Sequence, residues 1–262
     1  MSYETLEYEV RNSVAHVRLN RPDAANALDL QMARELMDVS LETNHDPDVR
    51  AILLTGTGRF FCAGGDLKSY AAYGEELPKH LKEVTTYLHS AVSRFTRGNA
   101  PLVAAVNGTA AGAGMSLACS CDIVLAGESA VFTMAYTKIG ITPNGSSTYF
   151  LTRKVGLNSA LELTLTNRVL SGEEAREYGI VTRVVPDDQL MAEATQTAEE
   201  IAAGPTAAFG EARRLLHSGL VETLETQMEL ETQAIASMSE TDDGREGIQA
   251  FLEKRAPIFT GS

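Results

Sequence analysis

The sequence is poor in cysteine, in basic charge and in long apolar runs, and each shortage removes a class of function. Only three cysteines occur, Cys62, Cys119 and Cys121, an odd number at spacings that make no disulfide framework. Cys119-Ser-Cys121 has no companion histidine or second cysteine pair. No metal site is therefore expected, since structural zinc takes four grouped ligands, and the thiols read as small buried apolar groups. Basic residues number 22 against 35 acidic ones, a formal charge of −13, which leaves no broad basic footprint for nucleic acid or an anionic membrane. No apolar run approaches the roughly 18 to 20 residues of a membrane span. Segment 1–11 carries three glutamates and no apolar stretch, unlike a signal or transit peptide, so a cytoplasmic location is expected. Low-complexity tracts and regular repeats are also lacking.

What is present is an ordinary globular balance: 262 residues, 44% apolar and 22% charged, enough for one large domain or a domain with a small appendage. Val14-Ala-His-Val-Arg-Leu19 alternates as a strand with a partner near 5–10. Leu28, Met32 and Leu36 recur at helical spacing. Apolar runs at 51–55, 102–106 and 122–126 read as buried strands, and 77–95 as a helix with Leu81, Val84, Leu88 and Val92 on one face. Segments 61–66 and 107–114 read as a glycine-bearing loop and a small-residue turn. Beyond 151 helices dominate, with one strand expected at 180–185. The last helix is expected to start near Asp243, where Asp243 and Glu246 have capping-box spacing, and to end before Pro257. Strands alternating with helices early, and helices late, point to an α/β core with a helical C-terminal extension.

The turn Gly108-Thr-Ala-Ala-Gly-Ala-Gly114 leaves a strand and opens a helix, yet matches neither the dinucleotide fingerprint nor the nucleotide phosphate loop. Its pairing with Phe61-Cys-Ala-Gly-Gly-Asp66 is more informative. Both turns end apolar strands and both expose backbone N–H groups, and two converging donors suit the carbonyl of a thioester on its way to an enolate or tetrahedral oxyanion.

These residues are also where the chain resembles a known family. Asn20-Arg-Pro22 with Asn26-Ala-Leu28, Phe61-Cys-Ala-Gly-Gly-Asp-Leu67, Asn107-Gly-Thr-Ala-Ala-Gly-Ala-Gly114, Cys121-Asp122, Lys138-Ile-Gly140, Pro143, the stretch 170–175, Asp243-Gly-Arg-Glu-Gly247 and 251–255 look, in order, like the signatures of the enoyl-CoA hydratase/isomerase (crotonase) superfamily. The resemblance implies a crotonase (ClpP-like) β-β-α superhelix, with a core domain at 1–195 and a helical trimerisation region at 196–262. It implies homotrimers or dimers of trimers. It implies an acyl-CoA substrate, with coenzyme A present as part of the thioester rather than as a bound cofactor. By position the oxyanion donors are the N–H groups of Gly65 and Ala113. Ala24, Ala63, Gly64, Gly65, Asp66 and Leu67 would border the coenzyme, Asp66 as a loop-stabilising residue, and Lys254 and Arg255 are candidates for its phosphates.

The chain departs from the hydratase pattern where the chemistry is done. The two glutamates that activate water and move the α-proton are replaced by Ser116 and Tyr136, and an isomerase aspartate by Asn144. His89, Tyr136 and Asn144 also align with the histidine, tryptophan and aspartate nucleophile of the 4-chlorobenzoyl-CoA dehalogenase branch, with the nucleophile lost. His89 is then either an acid/base or a structural histidine, Tyr136 a pocket wall or a proton donor, and Ser116 a poor nucleophile without a base. The expectation is an atypical isomerase- or hydratase-like acyl-CoA enzyme. Its alternatives are an acyl-CoA binding or scaffold protein with little turnover, and a hydrolase using water near His89 or Ser116.

Overall fold

The computed structural model describes residues 3–262; the first two residues of segment 1–11 lie outside the described residues. The chain opens with a hairpin of β1 (Leu6–Arg11) and β2 (Val14–Leu19). Its two-residue turn places Asn12 and Ser13 at φ 52° and 59°, the left-handed pair that matches strand twist. Helix α1 (Leu30–His45) follows, capped by Asp29, whose carboxylate accepts from the Met32 N–H at 2.8 Å. Then come β3 (Ala51–Gly56), β4 (Phe60–Cys62), α2 (Leu67–Ala71), α3 (Leu77–Arg97), β5 (Leu102–Val106), β6 (Thr109–Ala111) and α4 (Ala113–Ser120). The order continues with β7 (Ile123–Gly127), β8 (Val131–Thr133), α5 (Ser147–Thr166), β9 (Leu170–Ser171), α6 (Gly172–Glu177), β10 (Arg183–Val185) and α7 (Leu190–Ala202). Helices α8 (Thr206–Ser218), α9 (Leu224–Ser239) and α10 (Asp242–Glu253) close the chain. Among the described residues no helix is long and apolar enough to cross a membrane.

Two sheets are interleaved. The larger has the order β1-β2-β3-β5-β7-β10 and the smaller β4-β6-β8-β9. Each of the pairs β3-β4, β5-β6 and β7-β8 gives one strand to each sheet, so the backbone climbs as a β-β-α superhelix with parallel neighbours. Strands β3, β5 and β7 are covered on both faces, which is why they read as unbroken apolar runs. Ile52, Leu54, Ala104 and Val124 face the main core with α1, α3 and α4, whereas Leu53, Val103 and Leu125 pack under Ala194, Ala198 and Ala202 of α7.

Several expectations need correction. Leu28 precedes α1 instead of lying in it, because Asp29 caps the helix and frees Leu28 to pair as a lone bridge with Gly65. The segment read as a loop, 61–66, overlaps the end of β4, the turn 107–114 contains β6, and β8 and β9 are additional strands; strands of two or three residues carry no period-two signal. The strand expected at 180–185 is confined to Arg183–Val185. Helix α10 is capped by Thr241, which accepts from the Gly244 N–H at 3.0 Å. Asp243 instead binds the N–H groups of Thr260 and Gly261 at 2.6 and 2.7 Å, tying down the tail. The position 195/196 expected as a domain boundary lies within α7, whose Ala194, Ala198 and Ala202 pack against the larger sheet.

One buried side chain secures the site end of this framework. Asn26, fully buried, donates to the carbonyls of Thr57 and Phe60 at 2.9 and 2.7 Å and accepts from the Arg21 N–H at 2.9 Å. Replacing it strands three backbone groups, so Asn26→Ala should lower unfolding free energy by about 2–4 kcal/mol. Equilibrium denaturation would read this, and a loss below about 0.5 kcal/mol would contradict the role.

Candidate active site

Two strand ends of the smaller sheet meet at the site. After β4 the chain turns through Ala63, Gly64 and Gly65, and Leu28 holds this turn from outside. The Leu28 N–H donates to the Gly64 carbonyl at 2.7 Å, and the Asp66 N–H donates to the Leu28 carbonyl at 3.0 Å. After β6 the chain passes Gly112, whose N–H donates to the Thr133 carbonyl at 3.0 Å, and enters α4. Gly64 has φ +103°, and a Cβ there would stand 3.0 Å from the Ala111 carbonyl oxygen and 3.6 Å from the Ala113 nitrogen. The turns are thus in van der Waals contact, and only a residue without a side chain fits.

Among the described residues no acceptor takes the N–H of Gly65 or of Ala113. Ala113 is the first residue of α4, so it has no partner within the helix either. Every residue of α4 is buried, and its N-terminal end favours negative charge. Beside them opens a cavity of about 370 Å³. Its wall is aliphatic at Leu28, Val84, Leu88 and Ile141, phenolic at Tyr70 and Tyr136, and amide-bearing at Asn144. Lys82 and Lys138 also line it, but no carboxylate and no imidazole does.

Ser116, Tyr136, Asn144 and His89 are brought together, though not all on this cavity. The Ser116 and Tyr136 hydroxyls are 2.8 Å apart, and each lies within reach of the Asn144 carbonyl, at 2.9 and 3.2 Å. Tyr136 donating to Ser116, and Ser116 to the Asn144 carbonyl, satisfies the chain of contacts. Burial pushes the Tyr136 phenol well above its usual range, so it is a neutral donor and not a base. Ser116 is completely buried and has no base beside it. The Nε2 of His89 accepts from the Gly145 N–H at 3.1 Å, which places the proton on Nδ1. His89 lines a second, neighbouring cavity of about 730 Å³, and Asn144 is the residue common to both.

The residues expected at the coenzyme divide similarly. Gly64, Gly65, Ala63 and Leu67 line the first cavity. Ala24 lies outside it, and its carbonyl is taken by the Ala27 N–H at 2.9 Å. Asp66 is occupied as a clamp: its carboxylate accepts from the Ser69 N–H at 3.1 Å and pairs with Arg21 at 3.0 Å. Burial alone would raise this carboxyl, but the Ser69 N–H and Arg21 outweigh it and hold it below the usual range. Arg255 is bound to Glu246 and Glu253 at 2.6 and 2.7 Å, while Lys254 ends α10 in a left-handed conformation; neither lines the cavity. Tyr70 was not foreseen. Its ring lies over Gly65, where a Cβ would meet the phenol oxygen at 2.6 Å, and burial pushes that phenol up to about 12. The only sequence signal was its place one helical turn beyond Asp66. Cys62 is fully buried, with its thiol raised to about 11, so it is no nucleophile.

A sequence profile of the Enoyl-CoA hydratase/isomerase family matches residues 9–262. Over its full length the chain is 40% identical to a Rhodobacter capsulatus protein named "Probable enoyl-CoA hydratase", itself covered completely. It is 38% identical to the 1,2-epoxyphenylacetyl-CoA isomerase of Escherichia coli, across 96% of this chain and 97% of that one. Among solved structures, an enoyl-CoA hydratase from Bacillus anthracis superposes with a TM-score of 0.92 at 34% identity, covering 99% of this chain and 100% of its own.

The His89 contact has a pH signature. Burial lowers the affinity of its ring for a proton, and protonation would remove the lone pair that Gly145 uses. With the folded value below the unfolded one near 6.5, its stabilisation is full above about pH 6.5 and is lost as pH falls toward the folded value. The stability difference between wild type and His89→Gln should therefore shrink between about pH 7 and 5. A difference that stays constant across that window would rule out the neutral acceptor.

Proposed function

The chain belongs to the enoyl-CoA hydratase/isomerase family, and from that premise we propose that it holds an acyl-CoA thioester with the carbonyl oxygen between the N–H groups of Gly65 and Ala113. The observation that carries this reading is the contact of the two turns, which leaves two unpartnered donors beside an acyl-sized cavity. Donors fixed before reaction lower the energy of negative charge developing on that oxygen, because nothing needs to reorient as the charge forms. Polarising the carbonyl also acidifies the neighbouring carbon, so the intermediate is an enolate when an α-proton leaves and a tetrahedral oxyanion when water adds to the carbonyl carbon.

The same wall argues against the two-glutamate hydration route, since Ser116 and Tyr136 offer hydroxyls where that route needs paired carboxylates. Proton movement is left to the two lysines and water, with the phenols of Tyr70 and Tyr136 as hydrogen-bond donors and the Asn144 amide as a neutral hydrogen-bonding group. This supports an isomerase-like or otherwise atypical member, and the similarity to an acyl-CoA isomerase lies in that direction. Coenzyme A enters as the thioester half of the substrate. Its carrier arm fits past Ala63 and Leu67, the latter 49% exposed at the mouth. Exposed apolar residues on the extension, among them Leu224, Ile235 and Phe251, support a homo-oligomer, a trimer or a dimer of trimers.

The test is turnover of aliphatic and aryl acyl-CoA thioesters in deuterated water. Deuterium on carbon in recovered substrate or isomerised product is expected. Binding without exchange would favour a binding protein, free thiol alone a hydrolase, and absence of any binding would remove the reading. Ala113→Pro is the matching variant, because proline is tolerated at the first position of a helix and has no N–H, although its ring also restricts Gly112 in the turn before it. It should slow turnover about 10²- to 10³-fold with binding retained; unchanged turnover would contradict the donor role.

A further inference from the structure

The larger cavity behind Asn144 is walled in part by arginine and histidine side chains. It runs between α3, the segment 143–150 and the end of α8, and a groove of about 540 Å³ adjoins it along α3. The two share His89, Ser93 and Arg97. Their combined walls include Arg94, Arg97, Arg214, His89 and His217 and not one carboxylate, in a chain with 35 acidic residues. Arg214 is already held by Glu211 at 2.7 Å and Asn99 at 3.1 Å. Arg94 and Arg97 are not. Among the described residues these two are the arginines with no carboxylate, no side-chain hydrogen bond and no aromatic face; every other arginine has one. Their place in the last turn of α3 suits the helix dipole, but a dipole does not clear acids from two adjoining hollows.

The geometry points to a subsite for an anionic group carried at the far end of the acyl chain, and we propose that the enzyme takes acyl-CoA substrates whose acyl group ends in a carboxylate. This rests on the reading that the thioester carbonyl lies at Gly65 and Ala113. From that point an acyl chain runs away from Ala63 and Leu67, meets Asn144, and beyond it enters the second cavity. There Val92, Phe150 and Val221 provide apolar wall for methylene groups. His89, Ser93 and Arg97 follow at four-residue intervals on one face of α3, a stripe about 12 Å long that leads from Asn144 to the unpartnered guanidinium. A guanidinium that is free in the absence of ligand, with hydroxyls of Ser93 and Thr96 beside it, binds a carboxylate through charge-assisted hydrogen bonds.

The experiment is calorimetric titration of the full-length protein with suberyl-CoA, octanoyl-CoA and free coenzyme A, repeated with Arg97→Gln and with the charge-keeping Arg97→Lys. Wild type should prefer suberyl-CoA over octanoyl-CoA by about three- to tenfold at low salt. That ratio should collapse toward one in Arg97→Gln, persist in part in Arg97→Lys, and fall as salt is raised. Equal affinities in wild type, or a ratio untouched by Arg97→Gln, would overturn the subsite. If Arg97→Gln weakened coenzyme A and both thioesters alike, the cation would be serving a coenzyme phosphate, and the proposal would fall. A change of sedimenting mass in Arg97→Gln would mark a subunit contact and overturn it too. Failure of every thioester to bind wild type would instead remove the carbonyl-site reading on which the subsite stands.

Discussion

A side chain at position 64 would bring its Cβ to 3.0 Å from the Ala111 carbonyl oxygen, and one at position 114 would come to 2.1 Å from the Cys62 carbonyl oxygen. The close approach of β4 and its turn to β6 and the start of α4 is therefore possible only because these positions are glycine. The proposed chemistry depends on this contact. It packs the turn that carries Gly65 against the one that leads into Ala113, and among the described residues neither N–H has an acceptor. In the proposed reading no side chain of the right chemistry has to be supplied at that point, because the backbone itself makes the electrostatic site.

Much of the surrounding structure keeps that contact in register. Leu28 sits outside α1 so that its backbone can clamp Gly64 and Asp66 from one side. Arg21 pairs with both Asp29 and Asp66, at 3.2 and 3.0 Å, joining the cap of α1 to the cap of α2. Asn26 fixes the preceding loop to the β3–β4 corner. On the far side, the Asn144 carbonyl gathers the hydroxyls of Ser116, Tyr136 and Ser147, while His89 holds the next residue by its N–H. Ser116, Tyr136 and Asn144 thus form a neutral strut. The result is a fixed position for Asn144, the residue that borders both cavities.

The long buried strands and α3 were legible because apolar runs and helical periodicity extend over many residues. The smaller sheet was not: β4, β6, β8 and β9 are too short to show alternation, and their pairing is decided by contacts distant in sequence. Of the site, the two glycine turns were legible as small-residue strand ends, and the order of motifs supplied their partnership. The grouping of Ser116, Tyr136 and Asn144 followed from alignment by position. Tyr70 escaped notice because it belongs to no motif and reaches Gly65 only through the fold of α2. The isolation of Arg94 and Arg97 was invisible for a related reason: an unpaired cation is recognised only when its neighbours in space are known. The global charge of −13 described the surface as a whole and concealed a local reversal.

Vibrational spectroscopy of a bound thioester bearing a ¹³C-labelled carbonyl tests the central claim most directly, because hydrogen bonds to that oxygen weaken and slow the stretch. The label should absorb at lower frequency when bound than in water, and Ala113→Pro should return it most of the way to the solution value. A bound carbonyl with no shift, or one shifted equally in wild type and Ala113→Pro, would show that the two backbone donors do not hold the reacting oxygen.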